Sequence, residues 1–372
     1  MRMTDKRSPG KPLHPHGVLR PLVFKGRGAL SNHDGRFDHL QHADIDDGWH
    51  NLDQDLAPLP TEVLIDNSRS IINWNNSPDV PFDRSINPYR GCEHGCIYCF
   101  ARPTHTYLGL SAGLDFESRI LVKPDAARLL RQELSKQHYR CAPIAMGTNT
   151  DPYQPLEKQH QLTRQILQVL AEFRHPVSIV TKAAMVERDI DILAPMASQG
   201  LVQVFISITT LSNQVSRTLE PRAAAPQRRL DTIRRLHQAG IPTGVMTAPV
   251  IPVLTDPELE HILAAASEAG ASSAGYVLLR LPLEVAPLFE EWLQHHYPLK
   301  ASHVMSIIRQ SRDGKTNHTD FHARMRGNGL FAEMIRQRFR LACRKLGLNQ
   351  RSMEMDTSLF RPPGKPEQLG LF

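Results

Sequence analysis

VSIVTKAAMVERDIDILAPMASQGLVQVFISI, residues 177–208, carries the reading that decides the fold class. Val177–Thr181 is a β-branched run, Asp189–Ser198 is amphipathic, and Val202–Ile208 is again β-rich. A strand, a helix and a second strand within about thirty residues form a parallel βα unit. The same grammar repeats on both sides. Further β-rich runs lie at Ser85–Pro88, Ile144–Thr148, Gly244–Ile251 and Gly275–Leu281, each ending in a polar or Pro-containing loop. Asp125–Gln137 opens after Pro124 and places Ala126, Leu129, Leu130 and Leu134 on one face. Leu162–Glu172 behaves similarly, while Arg228–Ala239 and Glu258–Glu268 stop at Gly240 and Gly270. Six alternations predict an α/β protein with a partial (β/α)6 barrel of TIM type, its functional loops at the C-terminal strand ends. A doubly wound open sheet is the alternative on pattern alone.

Around this core, 81–290, the sequence predicts an irregular N-terminal arm, 1–80, packing through Leu19–Phe24 and Val63–Ile72. His14, His16, His33, His39, His42 and His50 in the arm match no metal-ligand spacing and read as surface histidines. Residues 291–350 read as a helical extension around a polar loop near Arg312–Asn317. Its last helix, Phe331–Leu346, turns Ile335, Phe339, Ala342, Cys343 and Leu346 inward. Residues 351–372 read as a flexible tail.

Hydrophobic residues make up 41% of the 372-residue chain, which fits a globular protein with a large core. No segment approaches the roughly 20 apolar residues a membrane helix needs. Met1–Lys11 is basic without an apolar stretch, so no signal peptide is expected. Five cysteines, three of them within eight residues, argue against a disulfide framework and for a reducing compartment, the cytoplasm. The net charge of +6 permits nucleic-acid binding without establishing it.

Cys92-Glu93-His94-Gly95-Cys96-Ile97-Tyr98-Cys99 follows the first strand run as C-x3-C-x2-C. Structural zinc takes four ligands, usually as paired C-x2-C knuckles, and no second pair is present. Three thiolates on a [4Fe–4S] cluster leave one iron open to bind a small molecule. Gly95 lets the backbone wrap tightly, and Tyr98 offers an aromatic face beside the metal.

This loop resembles the signature of radical S-adenosylmethionine (radical SAM) enzymes. The resemblance implies that Cys92, Cys96 and Cys99 hold the cluster. It also implies that S-adenosylmethionine chelates the open iron, and that an electron from an unidentified donor cleaves it to a 5′-deoxyadenosyl radical. Residues 84–255 further resemble the spore photoproduct lyase family and its bacterial relatives. Ile179-Val180-Thr181-Lys182 looks like that family's third strand, whose lysine contacts the cofactor, and Ile206-Ser207-Ile208 like its fourth, whose serine does the same. Glu220-Pro221 and Ala248-Pro249-Val250-Ile251 recur in equivalent places. The competing readings are a solvated lysine for Lys182 and a bland strand-end serine for Ser207. Thr148 and Asn149 are candidate cofactor contacts, with an Asx-turn as the alternative. Arg222 is a candidate for cofactor or anionic substrate, with a surface arginine as the alternative. The chain departs from the family at two points. Met146-Gly147-Thr148 stands where the lyase carries a hydrogen-donating cysteine, and Phe100 stands where it has a tyrosine. Cys141 and Cys343 read as buried apolar cysteines. A lyase-like enzyme acting on a distinct substrate is therefore expected.

Gln368, Leu369, Leu371 and Phe372 resemble the peptide with which bacterial repair and replication proteins dock on the sliding clamp; a tail folded back on the chain is the alternative. Two arginine-rich segments, Arg309–Arg351 and Arg217–Arg235, suit phosphate contacts or simply a solvated face. DNA lesion repair is the first functional expectation. Radical modification of tRNA, protein or a small metabolite is the second. The third is an iron–sulfur or zinc protein that binds nucleic acid without catalysis.

Overall fold

The computed structural model describes residues 24–33, 35–37, 58–350 and 354–362. Ten strands follow one another as β1 (Glu62–Ile65), β2 (Ile72–Trp74), β3 (Arg84–Ile86), β4 (Tyr89–Arg90), β5 (Arg119–Val122), β6 (Ile144–Met146), β7 (Val177–Thr181), β8 (Val202–Ser207), β9 (Thr243–Val250) and β10 (Ser273–Leu278). The main sheet has the order β10-β9-β8-β7-β6-β3-β2, and β1-β5-β4 form a small second sheet. In the main sheet the pairings of β3, β6, β7, β8, β9 and β10 are all parallel, whereas β2 runs antiparallel along β3. The α/β expectation with six parallel strands is met.

Helices Ala126–Leu134, Leu162–Glu172, Ile190–Ala197, Pro226–Gln238 and Leu259–Glu268 each fall between successive parallel strands. Their apolar stripes explain why they lie on the sheet. Ile166, Leu170, Leu193, Ile233, Leu236, Ile262 and Leu263 pack with Ile144, Ile179, Val204 and Val245 in one core. Each such side chain, removed from water, stabilises the fold by about 1.5–3 kcal/mol.

A second core underlies the site. Helices Val285–His296 and Pro298–Gln310 bring Phe289, Trp292, Val304 and Met305 against Ile97, Tyr98 and Leu219. The Trp292 indole N–H donates to the Thr218 carbonyl at 3.0 Å. The helical extension thus props the cysteine loop from behind. Its last helix, Gly329–Leu346, buries Ala332, Ile335, Ala342 and Cys343, with Phe339 against Tyr276 at 4.7 Å between ring centroids. Among the described residues no helix is long and apolar enough to cross a membrane.

Two features go beyond the sequence expectation. The N-terminal 80 residues contain β1 and β2, and β2 extends the main sheet. Most of the expected packing segment Leu19–Phe24 lies outside the described residues, as do all of the arm histidines except His33, which sits 3.6 Å from Glu291. The clamp-like residues Gln368, Leu369, Leu371 and Phe372 also lie outside them.

Candidate active site

Parallel register brings the strand ends to one rim. Ile86 lies opposite Met146, Met146 opposite Ile179, Thr181 opposite Ile206 and Ser207 opposite Met246. One register step beyond the last β7 pair sets Lys182 beside Ser207. A cavity of about 550 Å³ opens there, within the range of small-molecule sites. Cys92, Cys96, Tyr98, Cys99, Thr148, Asn149, Lys182 and Ser207 all line it. Gly147 sits where the chain turns off β6, at φ +86°. A Cβ there would lie 1.9 Å from the Val180 carbonyl oxygen, so the turn demands glycine.

The cysteine loop is gripped from several sides. Arg102, fully buried, donates through Nε to the Cys96 carbonyl at 2.9 Å, through Nη1 to Ala112 and Gly113, and through Nη2 to the Gly95 carbonyl and the Glu117 carboxylate. The Glu117 carboxylate also accepts the N–H groups of Gly28 and Ala29, both at 2.8 Å, which ties the N-terminal arm to the loop. Gly95 has φ +65°, and a Cβ there would lie 2.6 Å from Glu117 Oε2. Backbone bonds from Cys92 to Phe116 and from Ile97 to Leu219 complete the hold.

Two buried carboxylates flank the loop. Asp151 accepts from Thr181 Oγ1 at 2.7 Å and the Lys182 N–H at 2.8 Å, with His94 Nδ1 at 3.3 Å. Glu220 accepts from Tyr98, Thr209 and Arg229. Lys182 Nζ stands 5.8 Å from the centre of the Tyr98 ring. Burial pushes the Glu220 pKa up, but Arg229, then Lys182 and the two hydroxyls, outweigh it and hold the carboxyl at about 2 against an ordinary 4.5. Burial likewise opposes His94, the Lys182 N–H and Thr181 at Asp151, which is held at about 2 against 3.8. A depressed carboxylate adds stability that is complete above its unfolded pKa and lost as pH falls through the folded one. The midpoint of urea unfolding is therefore expected to fall steeply between about pH 4.5 and 2, and Glu220→Gln should flatten part of that limb. An acid limb identical in parent and variant would contradict this assignment.

The three cluster candidates are free thiols sharing one cavity wall. Among the described residues, no three His, Cys, Asp or Glu side chains converge as a single-ion site. A four-iron cube spreads its thiolates wider than one ion does, and three sulfurs around an open cavity suit such a group. Burial pushes the Cys96 thiol up to about 12, so a metal centre is what would favour its thiolate. The donor chemistry fits a cluster.

Arg222 is the exception among the expected site residues. Its guanidinium is bound by Glu93 at 2.9 Å and Thr61 at 3.3 Å, and it is not among the residues lining the cavity. The buried Glu93 carboxylate draws it away. Thr148 and Asn149 do line the cavity, on a turn organised by Asn87, whose Oδ1 accepts from the Asn149 N–H at 3.1 Å. The Asx-type bonding and the cavity exposure coexist. Cys141 and Cys343 do not line the cavity; Cys343 is buried in the main core. Within Arg217–Arg235, Arg228 and Arg235 bind Glu187, Arg229 binds Glu220 and Arg234 binds Asp231, so most of these charges already have carboxylate partners.

Several contributors escaped the sequence reading. Trp74, Arg280, Arg324 and Asp151 line the cavity, whereas Glu220 lies buried behind Tyr98, whose hydroxyl it holds, and does not line it. Arg280 follows the last β-rich run and could have been flagged by position. Trp74 and Arg324 carry no such signal, because they reach the cavity from outside the repeating βα pattern.

The radical SAM superfamily pattern matches residues 86–266. An uncharacterized protein of Mycobacterium tuberculosis is 38% identical over 237 residues, spanning 63% of this chain and 70% of that relative. A radical SAM Nalpha-GlyT isomerase of Pseudomonas phage M6 is 26% identical over 275 residues, 70% of this chain and 55% of that protein. Among solved structures, a tyrosine-to-phenylalanine mutant of spore photoproduct lyase superposes with a TM-score of 0.52 at 14% identity, covering 79% of this chain and 86% of the other. At that identity the likeness concerns the fold.

Proposed function

This chain belongs to the radical SAM superfamily, and we propose that it cleaves S-adenosylmethionine in the cavity at the C-terminal strand ends to act on a nucleic acid substrate. One observation carries the reading: three thiols from one loop and Lys182, Ser207, Thr148 and Asn149 from successive strand ends line the same cavity. Cys92, Cys96 and Cys99 would hold a [4Fe–4S] cluster. When bound, the cluster and S-adenosylmethionine supply reductive formation of a 5′-deoxyadenosyl radical. The chain's own residues bind, orient and exclude water. Lys182 meets the cofactor carboxylate as a cation, and Ser207 and Asn149 offer hydrogen bonds to its polar groups. Tyr98, its hydroxyl held by Glu220 and Thr209, presents a fixed ring face under Lys182. The buried surroundings keep water from the reacting atoms.

The lining holds no thiol beyond the cluster candidates among the described residues, so a hydrogen return from a protein cysteine, as the lyase family carries out, is not part of this proposal. Nucleic acid is favoured over protein or metabolite by the cationic, aromatic mouth and by Arg326, Arg340, Arg344 and Lys345, which have no ion-pair partner among the described residues. A reducing, cytoplasmic setting suits the free thiols. The tail residues Gln368 to Phe372 are proposed to dock on a bacterial sliding clamp. Equal clamp binding by the full chain and by a chain cut after Lys365 would refute that docking.

The test is anaerobic reconstitution with iron and sulfide, then dithionite and S-adenosylmethionine. Formation of 5′-deoxyadenosine is expected. An intact cluster without that product would leave a non-catalytic binding protein as the reading. Tighter binding to damaged than to intact duplex over a salt series would support a lesion substrate.

A further inference from the structure

We propose that Arg280 is the anion-binding residue of the substrate subsite, that its anion is a phosphodiester of a nucleic acid strand, and that a base of that strand stacks on Trp74. This rests on reading the cavity as a radical SAM active site. Arg280 comes just after β10 and lines the cavity together with Cys99 and Phe100. Its guanidinium packs over the Phe100 ring, 4.5 Å from the centroid, and has no hydrogen-bond or ion-pair partner among the described residues. A planar cation stacked on an aromatic ring keeps its in-plane N–H fork free for a bidentate oxyanion.

The neighbouring arginines already have their own partners. Arg312 is fully buried and donates to the carbonyls of Leu278, Leu279, Ala323 and Arg324. Arg324 is bound to Asp79. Asp79 is the carboxylate within electrostatic reach of Arg280, and Arg324 already occupies it. Burial, then Arg324, lowers the Arg280 pKa, while Asp79 and Cys99 act in the opposite direction.

The second contact is aromatic. Trp74, on the edge strand β2, is 62% exposed and lines the same cavity. Arg84 stands 4.6 Å from its ring centroid and fixes the indole. An exposed ring and a phosphate-binding cation lining one cavity are the pairing that single-stranded or flipped nucleotides use. Asp79, after β2, and Arg324, after β10, join the two edges of the open sheet, so both contacts frame the entrance between those edges.

The experiment measures anisotropy of a fluorescein-labelled single-stranded oligodeoxynucleotide on the reconstituted full chain over a salt series. Arg280→Gln should weaken binding about tenfold and reduce the slope of log K against log salt by about one. On an oligonucleotide with neutral methylphosphonate linkages the same variant should match the parent, which also controls for folding. Arg280→Lys should keep the slope while losing part of the affinity. Trp74→Ala should weaken both oligonucleotides. Equal affinity and slope for Arg280→Gln and parent would overturn the proposal. So would Arg280-dependent binding of a polyglutamate peptide with no such dependence for the oligonucleotide, which would assign the site to acidic peptides. Formation of 5′-deoxyadenosine by the parent is measured in parallel. Its absence overturns the radical reading, whereas the binding series alone judges Arg280.

Discussion

Replacing Arg102 with methionine is expected to lower the unfolding free energy by about 3–5 kcal/mol, the range for removing one partner of a buried ion pair. Arg102 and Glu117 are both fully buried, so the variant leaves a carboxylate without its cation. It also strips donors from the carbonyls of Gly95, Cys96, Ala112 and Gly113, which shape the cysteine loop. Urea unfolding measures the loss. Adding Glu117→Gln should restore part of it, because the uncompensated charge disappears, and the shortfall from additivity gives the coupling between the two. A loss below about 1 kcal/mol would mean that the backbone bonds from Cys92 and Ile97 hold the loop by themselves. Iron content after reconstitution should fall in parallel, since the thiols then sit on a loosened frame.

The second large effect separates the cysteines. Cys96→Ala is expected to abolish both the iron–sulfur absorption and 5′-deoxyadenosine formation while leaving the far-ultraviolet circular dichroism unchanged. Cys343→Ala should do the opposite. Its thiol sits in the apolar core under the last helix, so the variant should cost about 1 kcal/mol of packing and leave iron content at the parent level. Equal iron loading in Cys96→Ala and parent would remove the cluster assignment. Reduced loading in Cys343→Ala with unchanged stability would move the ligand set.

How far these residues were legible from sequence varies with their kind. Thr148, Asn149, Lys182 and Ser207 were readable because strand periodicity is local, and a strand's end in a parallel α/β sheet is a predictable place. All four line the cavity. For Arg222 the sequence left a site arginine and a surface arginine open, because its choice of partner depends on a carboxylate more than a hundred positions away in the chain, Glu93. The arginines of Arg217–Arg235 show the same limit. A run of like charges looks available for phosphate until folding supplies Glu187, Glu220 and Asp231.

By itself the sequence determined the α/β class and the spacing of the three cysteines in the Cys92–Cys99 loop, because both are read along a few residues. Only the tertiary structure decided which charges remain unanswered. It showed Arg102 locked with Glu117, Arg324 with Asp79, and Arg280 left over a phenylalanine at the cavity mouth. It also drew Trp74 from the N-terminal segment into the cavity wall through the pairing of β2 with β3. The physical reason is common to all of these. Periodicity and ligand spacing act over a few residues, whereas desolvation and ion pairing act over distances in space that the order of residues does not encode locally.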